Sequence, residues 1–187
     1  MNNDVCNGLR IVPLTPDYPY LDSIFDMRDE AFPKNERPTT REVSPFTEEN
    51  GYVTLAFEDD NVPIGFMQLY RCEENVYFGL YLAIGKEFRN KHYGTRVLNM
   101  VIEEYLKDTM MFGCVEALIP EAENYQQRLD RIRFYQRNGM FVLDGVFDAE
   151  PFGKYQFVCT KPNVTFEQLK AKISPVIASF VNNRNNH

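Results

Sequence analysis

Apolar residues recur along this chain with two different spacings, and the switching between them predicts a mixed fold. Leu9 to Leu14 is a short apolar run that reads as a strand. From Tyr20 to Phe32 the apolar residues Leu21, Ile24, Phe25, Met27 and Phe32 fall mostly on one face of a helix, which stops before Pro33. Lys34 to Thr40 is polar and holds Pro38, a loop signal, and a short second helix is expected around Thr40 to Glu49. The period then changes. Tyr52 to Phe57, Pro63 to Tyr70 and Val76 to Ile84 read as strands joined by turns at Glu58 to Asn61 and Glu73 to Asn75, which makes an antiparallel meander. Helical spacing returns from about Tyr93 to Lys107, where Val97, Leu98, Val101, Ile102, Tyr105 and Leu106 repeat at three and four. Val115 to Ile119 reads as a strand stopped by Pro120, and Tyr125 to Arg137 as a helix closed by Asn138 and Gly139. Phe141 to Leu143 and Tyr155 to Cys159 are late strands. Val164 to Val181 is a last helix, interrupted or kinked at Pro175.

This order predicts an α/β (α+β) protein with a mixed, mostly antiparallel sheet of about seven strands flanked by helices. No repeat and no linker composition breaks it, so residues 1–187 read as a single domain with a core over about 9–160 and a C-terminal helix over about 164–181. The apolar side of that last helix packs on its own sheet or on a second subunit of a homodimer.

Composition narrows the classes. With 44% hydrophobic residues, 15 Phe and 11 Tyr, the chain can fill a sizeable core. A formal charge of -7 argues against nucleic acid as a partner, which needs a basic footprint. Cys6, Cys72, Cys114 and Cys159 are scattered, with no Cys-x-x-Cys, and the chain has only His92 and His187 to join them. That is the pattern of reduced thiols rather than of a metal site, so no metal is expected. No apolar stretch approaches the roughly 20 residues that span a bilayer. The polar start lacks a hydrophobic signal region, so the expectation is a cytoplasmic protein without a membrane partner.

The sharpest chemistry lies between Leu82 and Thr95. A buried strand runs into a short loop that opens a helix. The first turn of a helix carries unpaired N–H groups and partial positive charge, which suits a phosphate. Lys86, Arg89, Lys91 and Arg96 add cationic charge against Glu87 alone, and Gly94 removes a side chain where a ligand would approach. A solvated, charged loop capping a surface helix would have the same composition. A phosphate-bearing ligand is the functional reading.

In this context Arg89-Asn90-Lys91-His92-Tyr93-Gly94 resembles the acetyl-CoA motif of the GNAT superfamily of N-acetyltransferases, Arg/Gln-x-x-Gly-x-Gly/Ala placed directly after a strand. The first and last positions match; the fourth, usually Gly, is His92, which accepts a left-handed backbone better than a β-branched residue does. The meander before the motif, the amphipathic helix after it and Phe134-Tyr135 with Gly139 and Phe141, similar to the family's Phe-Tyr-x-x-x-Gly-Phe signature, extend the resemblance to about residues 9–160. The resemblance implies an acyl-CoA N-acyltransferase fold with acetyl-CoA as cosubstrate. Backbone N–H groups across Asn90, Lys91, His92, Tyr93, Gly94 and Thr95 would hold the pyrophosphate, with Arg89 beside them. Ala83 and Ile84 would pair with the pantetheine arm.

Acetyl transfer to an amine needs an acid for the departing thiolate, a base for the amine and a donor for the developing oxyanion. Tyr135 matches the family's tyrosine and is the candidate acid; the alternative is a tyrosine packing a helix face. The strand over Val76 to Leu82 holds no carboxylate, so the base is a water chain, Glu116 on the following strand, or Glu121 just beyond it. Tyr81 is a candidate lining of the acceptor site, and Glu36, Asp148 and Glu150 are candidate attractors of a cationic amine. The expected activity is transfer of an acetyl group from CoA to a primary amine of a small molecule, amino acid or peptide. A non-catalytic acyl-CoA-binding or regulatory module on the same fold is the alternative. An unrelated nucleotide-binding protein fits poorly, since no Gly-x-Gly-x-x-Gly or phosphate-binding lysine motif exists.

Overall fold

A computed structural model describes all residues except 1–7, 35, 38–40, 42–47, 150–152 and 186–187, and the side chains of 178–185. The expected helix around Thr40 to Glu49 lies mostly outside the described residues; a 3-10 turn occupies Glu48–Asn50. Among the described residues eight strands form the sheet: β1 (Leu9–Pro13), β2 (Tyr52–Asp59), β3 (Val62–Glu73), β4 (Val76–Ile84), β5 (Met110–Glu116), β6 (Phe141–Val142), β7 (Phe147–Asp148) and β8 (Lys154–Cys159). They are hydrogen-bonded in the order β1-β2-β3-β4-β5-β8-β6, with β7 also on β8. The α-helices of the described residues are α1 (Leu21–Ala31), α2 (Tyr93–Met100), α3 (Tyr125–Arg137) and α4 (Phe166–Asn185).

By contact the chain divides into two units, Met1–Gln68 with Tyr81–Val101, and Leu69–Leu80 with Ile102–His187. The first holds β1 and β2 in antiparallel register, Ile11 opposite Phe57, together with α1 and α2. Its buried residues include Ile24, Leu55, Phe57, Ile64, Val97 and Leu98, the positions that the two periodicities mark as inward. Asp60 and Asn61, at φ 50° and 65°, turn β2 into β3, the pair of left-handed residues that a two-residue hairpin needs. Glu58 and Asp59 therefore belong to the strand, not to the turn.

In the second unit Phe147 stacks on Phe157 at 4.6 Å, and Phe157 meets Phe112 edge-on at 6.1 Å. Leu169, Ile173 and Val176 of α4 belong to the same buried cluster, so α4 packs on its own chain here. α4 also runs unbroken through Pro175. Pro175 and Ala171 are both exposed, so the carbonyl that proline leaves without a donor can be served by water. α3 ends in a Schellman turn: Gly139, at φ 78°, donates to the Gln136 carbonyl and Met140 to that of Tyr135.

Three departures from the expected elements have long-range causes. β5 begins at Met110 rather than Val115 because Met110–Gly113 pairs in parallel with Val76–Gly79, far upstream. β7, expected as loop, forms because Phe147 and Asp148 pair with Tyr155 and Lys154, and it makes the eighth strand. After Met100 the helix widens into a π turn over Val101–Tyr105 instead of continuing as α. The β4–β5 ladder ends at Gly79 opposite Gly113; β4 continues to Ile84, and β5 continues to Glu116 paired with β8. No helix among the described residues is long and apolar enough to cross a membrane.

Candidate active site

In the first unit β4 delivers Leu82, Ala83 and Ile84 to a loop that opens α2. Gly85 donates to the Ile64 carbonyl at 2.9 Å, which fixes where the strand ends. A single turn, Lys86–Phe88, follows. Arg89 then reaches back: its Nε donates to the Ile84 carbonyl at 2.9 Å, and its Nη2 lies 3.4 Å from Glu30 of α1. The expected motif arginine thus braces the loop against the strand before it.

Asn90 and His92 both take left-handed backbone, at φ 62° and 61°. His92 is the N-cap of α2 and makes no side-chain capping bond. The first backbone bond of the helix runs from Arg96 N–H to the His92 carbonyl at 3.2 Å, so the earlier N–H groups, of Tyr93, Gly94 and Thr95, have no acceptor within the helix. These are the groups that the motif assigns to a phosphate. Tyr93 is turned away from them, donating its hydroxyl to Asp59 at 2.5 Å. Arg96 lies over the Tyr93 ring at 4.9 Å, and its Nη2 is buried with no hydrogen-bond partner. A buried guanidinium nitrogen in that state costs free energy until an acceptor meets it. Lys86, Arg89 and Lys91 are exposed along the loop that precedes α2.

In the second unit Tyr135 is half-buried on α3. Loss of hydration raises its phenol above the usual tyrosine value; Arg131, one turn earlier on the same face, opposes that, and Cys114 of β5 adds slightly to it. Tyr135 therefore holds its proton throughout the neutral range. Glu116, two residues beyond Cys114 on the same face of β5, is heavily engaged. It accepts from Arg131 at 2.6 Å and from Asn124 at 3.2 Å, and it forms an ion pair with Arg128 at 3.1 Å. Arg128 also donates to the Ala117 carbonyl and to the side chain of Asn124, which stands at the N-cap position of α3 without a side-chain capping bond. This cluster ties the end of β5 to the start of α3. Nothing local in the sequence signals it, because its members are far apart in the chain and each is an ordinary surface type.

Glu121 is exposed beyond β5, and Asp148 is exposed on β7. Glu150 lies outside the described residues. Tyr81 is buried and donates to the Glu36 carbonyl at 2.6 Å, so two residues that the sequence suggested separately are joined. No cluster of His, Cys, Asp and Glu among the described residues could hold a metal ion. Cys72, Cys114 and Cys159 are free thiols, and burial pushes Cys72 up to about 11.

A strand feeding a cation-rich helix start, within a mixed sheet, suits a phosphate-bearing ligand. Residues 21–140, well over half of the chain, match the model of the Acetyltransferase (GNAT) family, and the chain belongs to that family. Solved structures share the fold. A GNAT-family acetyltransferase from Bacteroides thetaiotaomicron aligns with TM-score 0.75 and 22% identity over 90% of this chain and 97% of its own. An aminoglycoside 6'-N-acetyltransferase complexed with coenzyme A aligns at 0.62 and 14% over 83% and 99%. A spermidine N-acetyltransferase chimera of Vibrio cholerae SpeG and hSSAT aligns at 0.63 and 15% over 81% and 94%. No curated protein matches.

Proposed function

We propose that this acetyltransferase moves an acetyl group from acetyl-CoA to a primary amine of a small molecule, amino acid or peptide. The observation that carries the reading is the start of α2, with its left-handed approach through Asn90 and His92, an N-cap residue that makes no side-chain capping bond, and the orphaned Arg96 Nη2. A diphosphate answers each of these features, because it supplies charge and several acceptor oxygens at once.

When bound, the thioester supplies the activated acyl group. The N–H groups of Tyr93, Gly94 and Thr95, with Asn90, Lys91 and His92 leading into them, bind the pyrophosphate, and Arg89 keeps the loop on its strand. The backbone of Ala83 and Ile84 pairs with the pantetheine arm in the manner of an added strand. The Ile84 carbonyl already accepts from Arg89 and keeps a second lone pair for this. Tyr135 gives its proton to the departing sulfur, a role that suits a phenol which stays protonated. The full engagement of Glu116 by arginine and asparagine favours water as the carrier of the amine proton, with Glu116 anchoring Arg131 beside Tyr135. The family match spans parts of both contact units, which supports one acetyltransferase domain. The aminoglycoside and spermidine enzymes of the same fold support an amine acceptor.

Thermal unfolding with acetyl-CoA, CoA, NAD and ATP tests the binding. The two coenzyme A species are expected to stabilise by about 2.7 kcal/mol at a hundredfold excess over Kd, and the other two not at all. Arg89→Glu is expected to remove most of that gain. A free-thiol assay with an amine panel separates turnover from binding, and Tyr135→Phe is expected to slow turnover about 10²-fold at unchanged CoA affinity. Equal turnover by Tyr135→Phe at every pH removes the acid role.

A further inference from the structure

The first residue of α2 is tied to a strand 34 positions earlier in the chain: Tyr93 donates its hydroxyl to Asp59 Oδ2 at 2.5 Å. Asp59 is a firm anchor. It ends β2 opposite Leu9 of β1, and the next residue, Asp60, donates its N–H to the Gly8 carbonyl at 3.2 Å. Gly8 also leaves the room that the carboxylate needs, since a Cβ there would stand 2.8 Å from Asp59 Oδ1. On the other side, the Tyr93 ring meets Phe88 edge-on at 6.1 Å and carries the Arg96 guanidinium at 4.9 Å. Phe88 in turn carries Lys91 Nζ at 5.8 Å. One ring therefore touches both the loop that leads into the helix and the first turn that follows it.

Electrostatics alone argues against an acid here, because a carboxylate tied to the start of α2 opposes the negative charge that a helix start is suited to hold. What Asp59 supplies instead is an acceptor. His92 makes no side-chain capping bond, so other contacts must set the direction of the first turn, and the charge-assisted bond from Tyr93 to Asp59 is one that can. A small rotation of that turn re-aims the N–H groups of Tyr93, Gly94 and Thr95 together.

We propose that Asp59 is a positioning residue for the acyl donor: by accepting from Tyr93 it holds the first turn of α2 in the orientation that meets the diphosphate. The inference rests on the reading that this turn binds the diphosphate of acetyl-CoA, and it deepens that reading by adding a residue that lies outside the loop motif and acts through Tyr93.

Calorimetry with CoA reads the donor site without an acceptor. Asp59→Ala is expected to weaken CoA binding about tenfold. Asp59→Asn, whose amide oxygen still accepts from the hydroxyl, is expected to stay within about twofold of the parent. Tyr93→Phe, which keeps the ring against Phe88 and Arg96 and removes only the hydroxyl, is expected to lose about as much as Asp59→Ala, and the double variant to lose no more than either alone. Turnover adds a second readout. For Asp59→Ala, KM for acetyl-CoA rises about tenfold at unchanged kcat, while KM for S-acetylpantetheine, which carries the same thioester and no phosphate, stays within about twofold. Tighter CoA binding by both Asp59→Ala and Asp59→Asn would mark a pure charge effect and overturn the inference. Equal shifts for the two donors, or losses that add in the double variant, overturn it as well and leave the acetyltransferase reading standing. A parent that binds CoA no better than pantetheine overturns the diphosphate reading itself, and the inference with it.

Discussion

Replacing His92 by glycine tests whether the loop that opens α2 is strained by its own side chain. His92 stands at φ 61° and ψ 6°, in the left-handed region, with its side chain exposed and making no capping bond. An L-residue pays about 1–2 kcal/mol for that backbone, and glycine pays nothing. Glycine also loosens the unfolded chain, which returns about 0.4–1 kcal/mol of the gain. The balance is a stabilisation of about 0.5–1 kcal/mol, or about 1–4 °C in Tm for a protein of this size. Valine at the same position is expected to lie about 1–2 kcal/mol below the parent, because its two γ-methyls worsen the same clash. The loop conformation also aims the N–H groups of Tyr93, Gly94 and Thr95. The valine variant should therefore bind acetyl-CoA about tenfold more weakly, while the glycine variant binds at least as well as the parent. Thermal unfolding followed by circular dichroism, with and without acetyl-CoA, reads both effects. A glycine variant that melts below the parent, or a valine variant that matches the parent in melting and binding, refutes the reasoning.

Gly65 faces β4 so closely that an added Cβ would stand 2.5 Å from the Ala83 carbonyl oxygen and 2.8 Å from Ile84 Cδ1. Gly65→Ala is expected to cost about 1–3 kcal/mol in urea unfolding and to raise KM for acetyl-CoA, since the displaced carbonyl belongs to the stretch assigned to pantetheine. Glu116→Ala removes the shared partner of Arg128 and Arg131 and is expected to lower stability by about 2 kcal/mol. Glu116→Gln, which can still accept from one arginine, is expected to lose about half as much, and an unchanged unfolding midpoint in both would show the cluster to be idle.

Much of the fold is legible in the chain because its determinants are local. The span of β4 follows from an unbroken apolar run between a turn and Gly85, and α3 from its spacing and the Asn138–Gly139 stop, which forms the expected Schellman turn. The start of β5 is not legible: Met110–Gly113 falls between the helix expected to Lys107 and the strand expected from Val115, and it becomes strand only with its parallel partner Val76–Gly79 beside it. The short β7 is hidden for the same reason. At the site, the loop motif pointed to the start of α2, but not to the brace that Arg89 makes to Ile84 and Glu30, nor to the buried nitrogen of Arg96.

By itself the sequence determined the mixed class, the helix start that suits a diphosphate and the family, since spacing, caps and motif residues act over a few neighbours. Only the tertiary structure decided that Glu116 is occupied by Arg128, Arg131 and Asn124, and that Tyr81 holds the backbone of Glu36. Those pairings join residues 8–45 positions apart. Which of several equally plausible charged partners meets a given side chain is settled by the register of strands and the facing of helices, which no local pattern encodes.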